Sequence, residues 1–263
     1  MIEEMLIFIS LGVFSGLLAG LFGIGGGTLI VPVLIACFFG MGFEENIIVH
    51  LALGTSMACI IFTGMASANA HRKKNAIDFK IMKPVVIGII LGSFLGAGFA
   101  LQVAGPILKI IIGLFALFVA IQIGFGIELH KKRIANKKSS SYIAGSIIGF
   151  LSSILGIGGG IFSVSYFKSS GLNLTTCIGT SAACGVPIAI FASLGYVLMG
   201  INNSVLPSMS LGYVYLPAVL GVSISSVVTA GYGARIAHFI SEKLLKNLLI
   251  SLMLIISIYM IVL

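Results

Sequence analysis

Six stretches of this chain hold about twenty apolar residues in a row, the length a helix needs to cross some 30 Å of hydrocarbon. They lie near Asn46–Ala70, Pro84–Val103, Pro106–Ile127, Leu172–Met199, Leu211–Gly231 and Leu244–Val262. Nothing in the sequence narrows the fold more. Inside a bilayer every backbone amide and carbonyl needs a protein partner, so only helices or a closed barrel can span it. The alternating pattern of barrel strands is absent. With 59% of residues hydrophobic and 8% charged, too little polar surface remains for a water-soluble domain. An all-α polytopic membrane protein is expected. The net charge of +8 does not point to nucleic acid, because Lys and Arg cluster at the ends of the apolar runs, where they set topology. The start, "MIEEM", is acidic where a cleavable signal would be basic. Cys37, Cys59, Cys177 and Cys184 lie within apolar stretches without metal-ligand spacing and read as small buried hydrophobes, so neither metal nor cofactor is expected.

Two further apolar segments, Met5–Phe39 and Ser141–Phe167, are interrupted by the same string, GIGGG, at Gly23–Gly27 and Gly156–Gly160. That brings the total to about eight membrane segments. Other matches occur in the same order: "LGTSMA" (Leu53–Ala58) with "IGTSAA" (Ile178–Ala183), and "GAGFA" (Gly96–Ala100) with "GARIA" (Gly233–Ala237). Together they argue for an internal repeat. Residues 1–128 form the first membrane repeat and residues 141–263 the second, joined by a basic cytoplasmic linker, 129–140.

Neither limb beside the second GIGGG is long enough to span alone. Each pair of limbs is then either one discontinuous helix that crosses once or a re-entrant hairpin. The charges favour the hairpin. With three full crossings per half and the linker inside, Arg72, Lys73, Lys74, Lys80, Lys83, Lys168, Arg235, Lys243 and Lys246 all fall inside, and only Lys109 falls outside. The positive-inside rule therefore favours two inverted repeats.

A broken helix exposes backbone at membrane depth, which is tolerated where protein buries it or a watery cavity meets it. The helices resuming at Thr28 and at Ile161 would point free amides at the break, and a helix N-terminus attracts anions. Facing discontinuous helices are a common transporter design. The candidate substrate site is therefore Gly25, Gly26, Gly27 and Thr28 with Gly158, Gly159 and Gly160. Thr55 and Ser56, with Thr180 and Ser181, recur in both halves and could donate hydroxyls to an anion, although such residues often bond their own helix. Gly12, Gly16 and Gly20, and Gly88, Gly92 and Gly96, read instead as helix-packing ladders. No Lys, Arg, Asp or Glu stands in mid-crossing, so an anion would be held by backbone amides, hydroxyls and helix ends. His50 and His71, at helix ends, are the candidates for a coupling proton, against the blander reading of solvated histidines.

The stretches "AGLFGIGGGTLIVPVL", "LGTSMACIIFTGMASANAHRKKNAIDF", "IGTSAACGVPIAIFASLGYVLMG" and "LGYVYLPAVLGVSISSVVTAGYGARIAHFI" resemble the TauE/SafE, or sulfite exporter, family across nearly the whole chain. The resemblance implies a secondary transporter of sulfite or organosulfonates, with the glycine clusters and Thr-Ser pairs as its substrate region. One departure is Gly98, where the family's GAR-type motif has Arg; the second half keeps it as Gly233-Ala234-Arg235. The expectation is a secondary transporter, an exporter of small anions by alternating access, with proton coupling as one energy source. It would sit in a prokaryotic inner or plasma membrane. The alternatives are an anion channel and a non-transporting subunit of a larger complex. An enzyme is not expected, since no nucleophile–base or metal-ligand constellation occurs in the apolar segments. The partners are a small anion and the lipid bilayer, without nucleic acid; self-association stays open.

Overall fold

The computed structural model describes residues 2–22, 27–126, 138–237 and 240–262. The first half runs α1 (Ile2–Phe22), α2 (Gly27–Gly40), α3 (Glu45–Lys73), α4 (Phe79–Ala100) and α5 (Gly105–Phe125). The second runs α6 (Lys138–Leu155), α7 (Gly160–Ser169), α8 (Leu174–Gly200), α9 (Leu216–Ala237) and α10 (Glu242–Val262). A small antiparallel pair, β1 (Ser210–Leu211) and β2 (Val214–Tyr215), leads into α9.

Six of these helices, α3, α4, α5, α8, α9 and α10, are long and apolar enough to cross a membrane. They are the six runs read from the sequence. Their starts are set by local chemistry. The Asp78 carboxylate accepts hydrogen bonds from the Lys80 and Ile81 amides at 2.9 and 3.2 Å, capping α4 before Pro84 is reached. Asn173 caps α8 by accepting from the Thr176 amide at 2.8 Å. Pro106 opens α5, where its missing amide costs nothing, and Gly126 ends it at φ +62°. Leu91, Leu95, Ile224 and Ile258 are exposed, as a lipid-facing surface requires. At the centre stands α3, buried from Ile47 through Ile60.

The short helices fold back in pairs. The Tyr166 hydroxyl in α7 donates to Ser141 Oγ near the start of α6 at 3.0 Å. In the first half, Phe8 of α1 meets Phe38 of α2 edge-on, their ring centroids 6.3 Å apart. Each pair of helices therefore folds back on itself, with the second glycine cluster, Gly156–Gly160, at the turn between α6 and α7.

The halves interlock. α1 lies along α9, where Gly12 and Gly16 pack on Val222 and Ser226, while Gly221 and Gly233 receive Phe8 and Leu17. α4 lies along α6 in the same way, with Gly88, Gly92 and Gly96 on Tyr142, Ser146 and Phe150. Numbers rise together across both contacts, so each pair is parallel. Gly12, Gly16, Gly88, Gly92 and Gly96 thus pack helices, as read from their spacing, because a missing Cβ lets backbones touch, while the surroundings of Gly20 lie outside what is described. α3 and α8 run antiparallel: Gly54 abuts Tyr196 and Gly64 abuts Val186. α5 and α10 are antiparallel too, with Gly113 against Met260 and Gly124 against Ile250.

Candidate functional site

The second glycine cluster ends one helix and begins another within four residues. Gly156 and Gly159 take left-handed conformations, φ +69° and +72°, which other residues adopt only with strain. α6 closes with the Ile157 amide donating to the Ser152 carbonyl at 3.0 Å, and α7 opens with the Ser163 amide donating to the Gly159 carbonyl at 2.8 Å. Its N-cap, Gly159, has no side chain with which to cap. The first-turn amides of Gly160, Ile161 and Phe162 consequently have no backbone acceptor among the described residues.

The carbonyls of this break are treated differently. Ser56 Oγ, arriving from α3, donates to the Gly156 carbonyl at 3.0 Å. Ser181 Oγ, from α8, donates to the Gly160 carbonyl at 3.2 Å. Two carbonyls of the break are thus bound by hydroxyls, while the first-turn amides of α7 have no backbone acceptor among the described residues, and a helix N-terminus so placed is an electropositive point in an apolar interior.

The threonines of the same motifs hold the halves together. Thr55 Oγ1 accepts the Tyr215 amide at 3.0 Å, just before α9, and Thr180 Oγ1 accepts the Asp78 amide at 3.0 Å, just before α4. Beside them Gly54 admits the Tyr213 carbonyl and Gly179 the Ala76 carbonyl. Each Gly-Thr-Ser motif thus clamps the segment that leads into a helix of the opposite half.

A cavity of about 420 Å³ connects the break to one end of the bundle. Gly158, Gly160 and Ser181 form its buried end; Ser15, Thr63 and Ser226 line its wall; half-buried His71 and exposed Lys74 stand at its mouth. No carboxylate lines it among the described residues. Of the residues predicted from sequence, Gly158, Gly160, Ser181 and His71 therefore meet in one cavity. Gly159 is buried just behind Gly158. Gly27 begins α2 against the second break, so close that a Cβ there would lie 2.9 Å from the Gly156 carbonyl oxygen and the Ile157 Cα. Thr28 is half-buried in the next position, while Gly25 and Gly26 lie outside the described residues.

Thr55, Ser56 and Thr180 do not line the cavity, and their oxygens are engaged with backbone as described. His50 is far from it. Its Nε2 faces the carbonyls of Ala100 and Val103 at 3.2 and 3.0 Å and its Nδ1 that of Asn46 at 3.3 Å, tying α3 to the α4–α5 turn. The four cysteines are unpaired, and no group of His, Cys, Asp or Glu could hold a metal among the described residues. Two serines that the sequence reading passed over, Ser152 and Ser163, flank Gly159 with buried hydroxyls that have no partner. The repeat gave no signal for them: on the register pairing Gly23 with Gly156, they fall opposite Ala19 and Ile30.

The chain is similar to known membrane proteins. The family model described as "Sulfite exporter TauE/SafE" matches residues 8–260. A "Probable membrane transporter protein" of Haemophilus influenzae is 35% identical, the match covering 94% of each chain. Another so named, from Methanocaldococcus jannaschii, is 27% identical over 97% of this chain and 94% of its own. A third, from Bacillus subtilis, is 27% identical over 88% and 90%. No solved structure matches.

Proposed function

We propose, for a chain that belongs to the sulfite exporter TauE/SafE family, that it exports a small sulfur oxyanion, sulfite or an organosulfonate, held at the break before α7. The coarser statement needs no proposal: the chain is a membrane transporter of the TauE/SafE type, not an enzyme, and it lies in the cell membrane. The observation that carries the finer reading is the imbalance at the break. Its carbonyls at Gly156 and Gly160 are bound by serine hydroxyls, while the first-turn amides of α7 have no backbone acceptor among the described residues. Such a site attracts an anion without a buried cation.

The mechanism proposed is alternating access between two inverted repeats. The opposed directions of α3 and α8, which carry the matched Gly-Thr-Ser motifs, support that arrangement. Lys74 lines the cavity mouth and Arg72 and Lys73 precede it in the chain, so the positive-inside rule supports a mouth that faces the cytosol, as an inward-open state would have. His71, at that mouth, is the group placed to take a coupling proton.

Purified protein in liposomes tests this. Protein-dependent, saturable flux is expected for sulfite and small sulfonates, weaker for small carboxylates, and responsive to an imposed pH difference. Flux of none of these anions above that of empty liposomes would refute the reading, and flux indifferent to pH would remove the proton.

A further inference from the structure

We infer that the anion leaves the break along a second path, closed in this structure, between α8, α4 and α6, with Tyr196 as its gate. The inference rests on the alternating-access reading of two inverted repeats. In that reading the halves exchange shapes, so the residues around the open cavity have counterparts around the path on the other side. The sequence matches supply these counterparts. On the register that pairs Leu53–Ala58 with Ile178–Ala183, Thr63, Ser67 and His71 of α3 correspond to Ile188, Ala192 and Tyr196 of α8. On the register that pairs Gly96–Ala100 with Gly233–Ala237, Ser226 and Ala230 of α9 correspond to Ile89 and Ser93 of α4.

The two sets differ in one respect. All five residues of the first line the cavity. All five of the second are 0% exposed. They lie in a closed seam: Gly195 of α8 abuts Phe94 and Ala97 of α4, and Gly149 of α6 abuts Ile89 and Ser93. The seam runs toward the ends of α4 and α8, at the end of the bundle opposite the cavity mouth. The break stands between cavity and seam. The cavity reaches it at Gly158 and Gly160. On its other side Ile188 Cδ1 lies against Gly159. Thr63, at the matching place, leaves the cavity open, so Ile188 is the plug nearest the anion.

The chemistry of the seam suits a gate. Ile188 and Ala192 stand where the cavity has Thr63 and Ser67, and apolar faces close on one another by shedding water. Ser93 Oγ is buried there without a partner, an unfavourable state that water entering the seam would relieve. Tyr196 is the largest fully buried side chain among the described residues. Its hydroxyl donates to the Ser153 carbonyl at 3.0 Å, joining α8 to the last turn of α6. Its counterpart, His71, stands at the mouth of the open cavity. Tyr196 thus closes on one side the position that His71 leaves open on the other.

The test is thiol labelling of the full chain in intact cells, in a parent freed of its four native cysteines. The probe is an impermeant methanethiosulfonate that carries a sulfonate. Ser93→Cys and Ala192→Cys, buried in this structure, are each expected to react from outside, and the attached group should then block sulfite export. Ala116→Cys, buried in α5 outside the seam, should stay unreacted. Adding Tyr196→Phe removes the bond to Ser153 and favours the open seam. Outside labelling of Ser93→Cys should then rise about fivefold, the scale of one neutral hydrogen bond, with Ala116→Cys still unreacted. Failure of both seam cysteines to react from outside, while the parent exports sulfite, overturns the inference and leaves the site at the break standing. Reaction from the cytosolic side only overturns it too. So does equal reaction of Ala116→Cys, which marks a loosened protein rather than a path. If the parent moves no anion, the underlying reading falls with it.

Discussion

A threonine hydroxyl can accept a hydrogen bond as readily as it donates one, and in this protein that choice decides the role of the Gly-Thr-Ser motif. Thr55 and Thr180 accept amides that precede α9 and α4, across the boundary between the halves. Thr180→Val keeps the shape of the side chain and leaves the Asp78 amide without its acceptor. It is expected to lower stability by about 1–3 kcal/mol, read as a fall in melting temperature in detergent, with the KM for sulfite unchanged. Gly158 has a different job. A Cβ there meets only Ile60 Cγ2, at 3.2 Å, and its φ is not left-handed. Gly158→Leu should therefore insert and fold while its side chain occupies the cavity, cutting sulfite transport at least tenfold. Normal transport by this variant would show that the anion does not use the cavity. Glycine was legible in the sequence as the residue of a broken helix, because four in five residues forbid a continuous one. The duties of the hydroxyls were not legible, since their partners arrive from distant segments: Gly156 lies opposite Ser56, and Tyr215 opposite Thr55. Ser152 and Ser163 were not legible either, because the repeat marks what both halves share and they occur in one.

At the scale of elements, the six long helices were readable from apolar length, since lipid imposes that length directly. Their ends were less so. The run predicted to start at Pro84 begins instead at Phe79, because the Asp78 cap fixes the start and the proline stands in the second turn. The run predicted from Leu211 begins as the β1–β2 pair and turns helical only at Leu216. Which helices touch was partly written in the glycine ladders, though not the partner each ladder meets. Gly92 is seated on the Ser146 backbone at the α4–α6 contact. Gly92→Leu must push these helices apart and is expected to cost about 1–3 kcal/mol or more, seen as a lower melting temperature and poor yield from membranes. A fully stable variant would show that close contact of α4 with α6 is not required.

For the whole molecule, direction is the main consequence. α3 ends and α4 begins at the end of the bundle that carries Arg72, Lys73 and Lys74, with Lys80 and Lys83 following. α10 starts there too, because it runs antiparallel to α5, bringing Lys243 and Lys246 to the same end. The exposed loop at Val205 lies at the other end. In a variant lacking the four native cysteines, Val205→Cys should react with an impermeant thiol reagent from outside intact cells, and Lys73→Cys only after the membrane is opened. Labelling of Val205→Cys only from the cytosol would reverse the assigned orientation.

The claim that an anion rests on the amides before α7 can be tested by sight. Selenite is a close analogue of sulfite, and its selenium can be located by anomalous scattering. Crystals of the transporter grown with selenite should show one selenium beside the amides of Gly160 and Ile161. Selenium bound elsewhere in the bundle, with this break empty in a protein that transports selenite, would contradict the account.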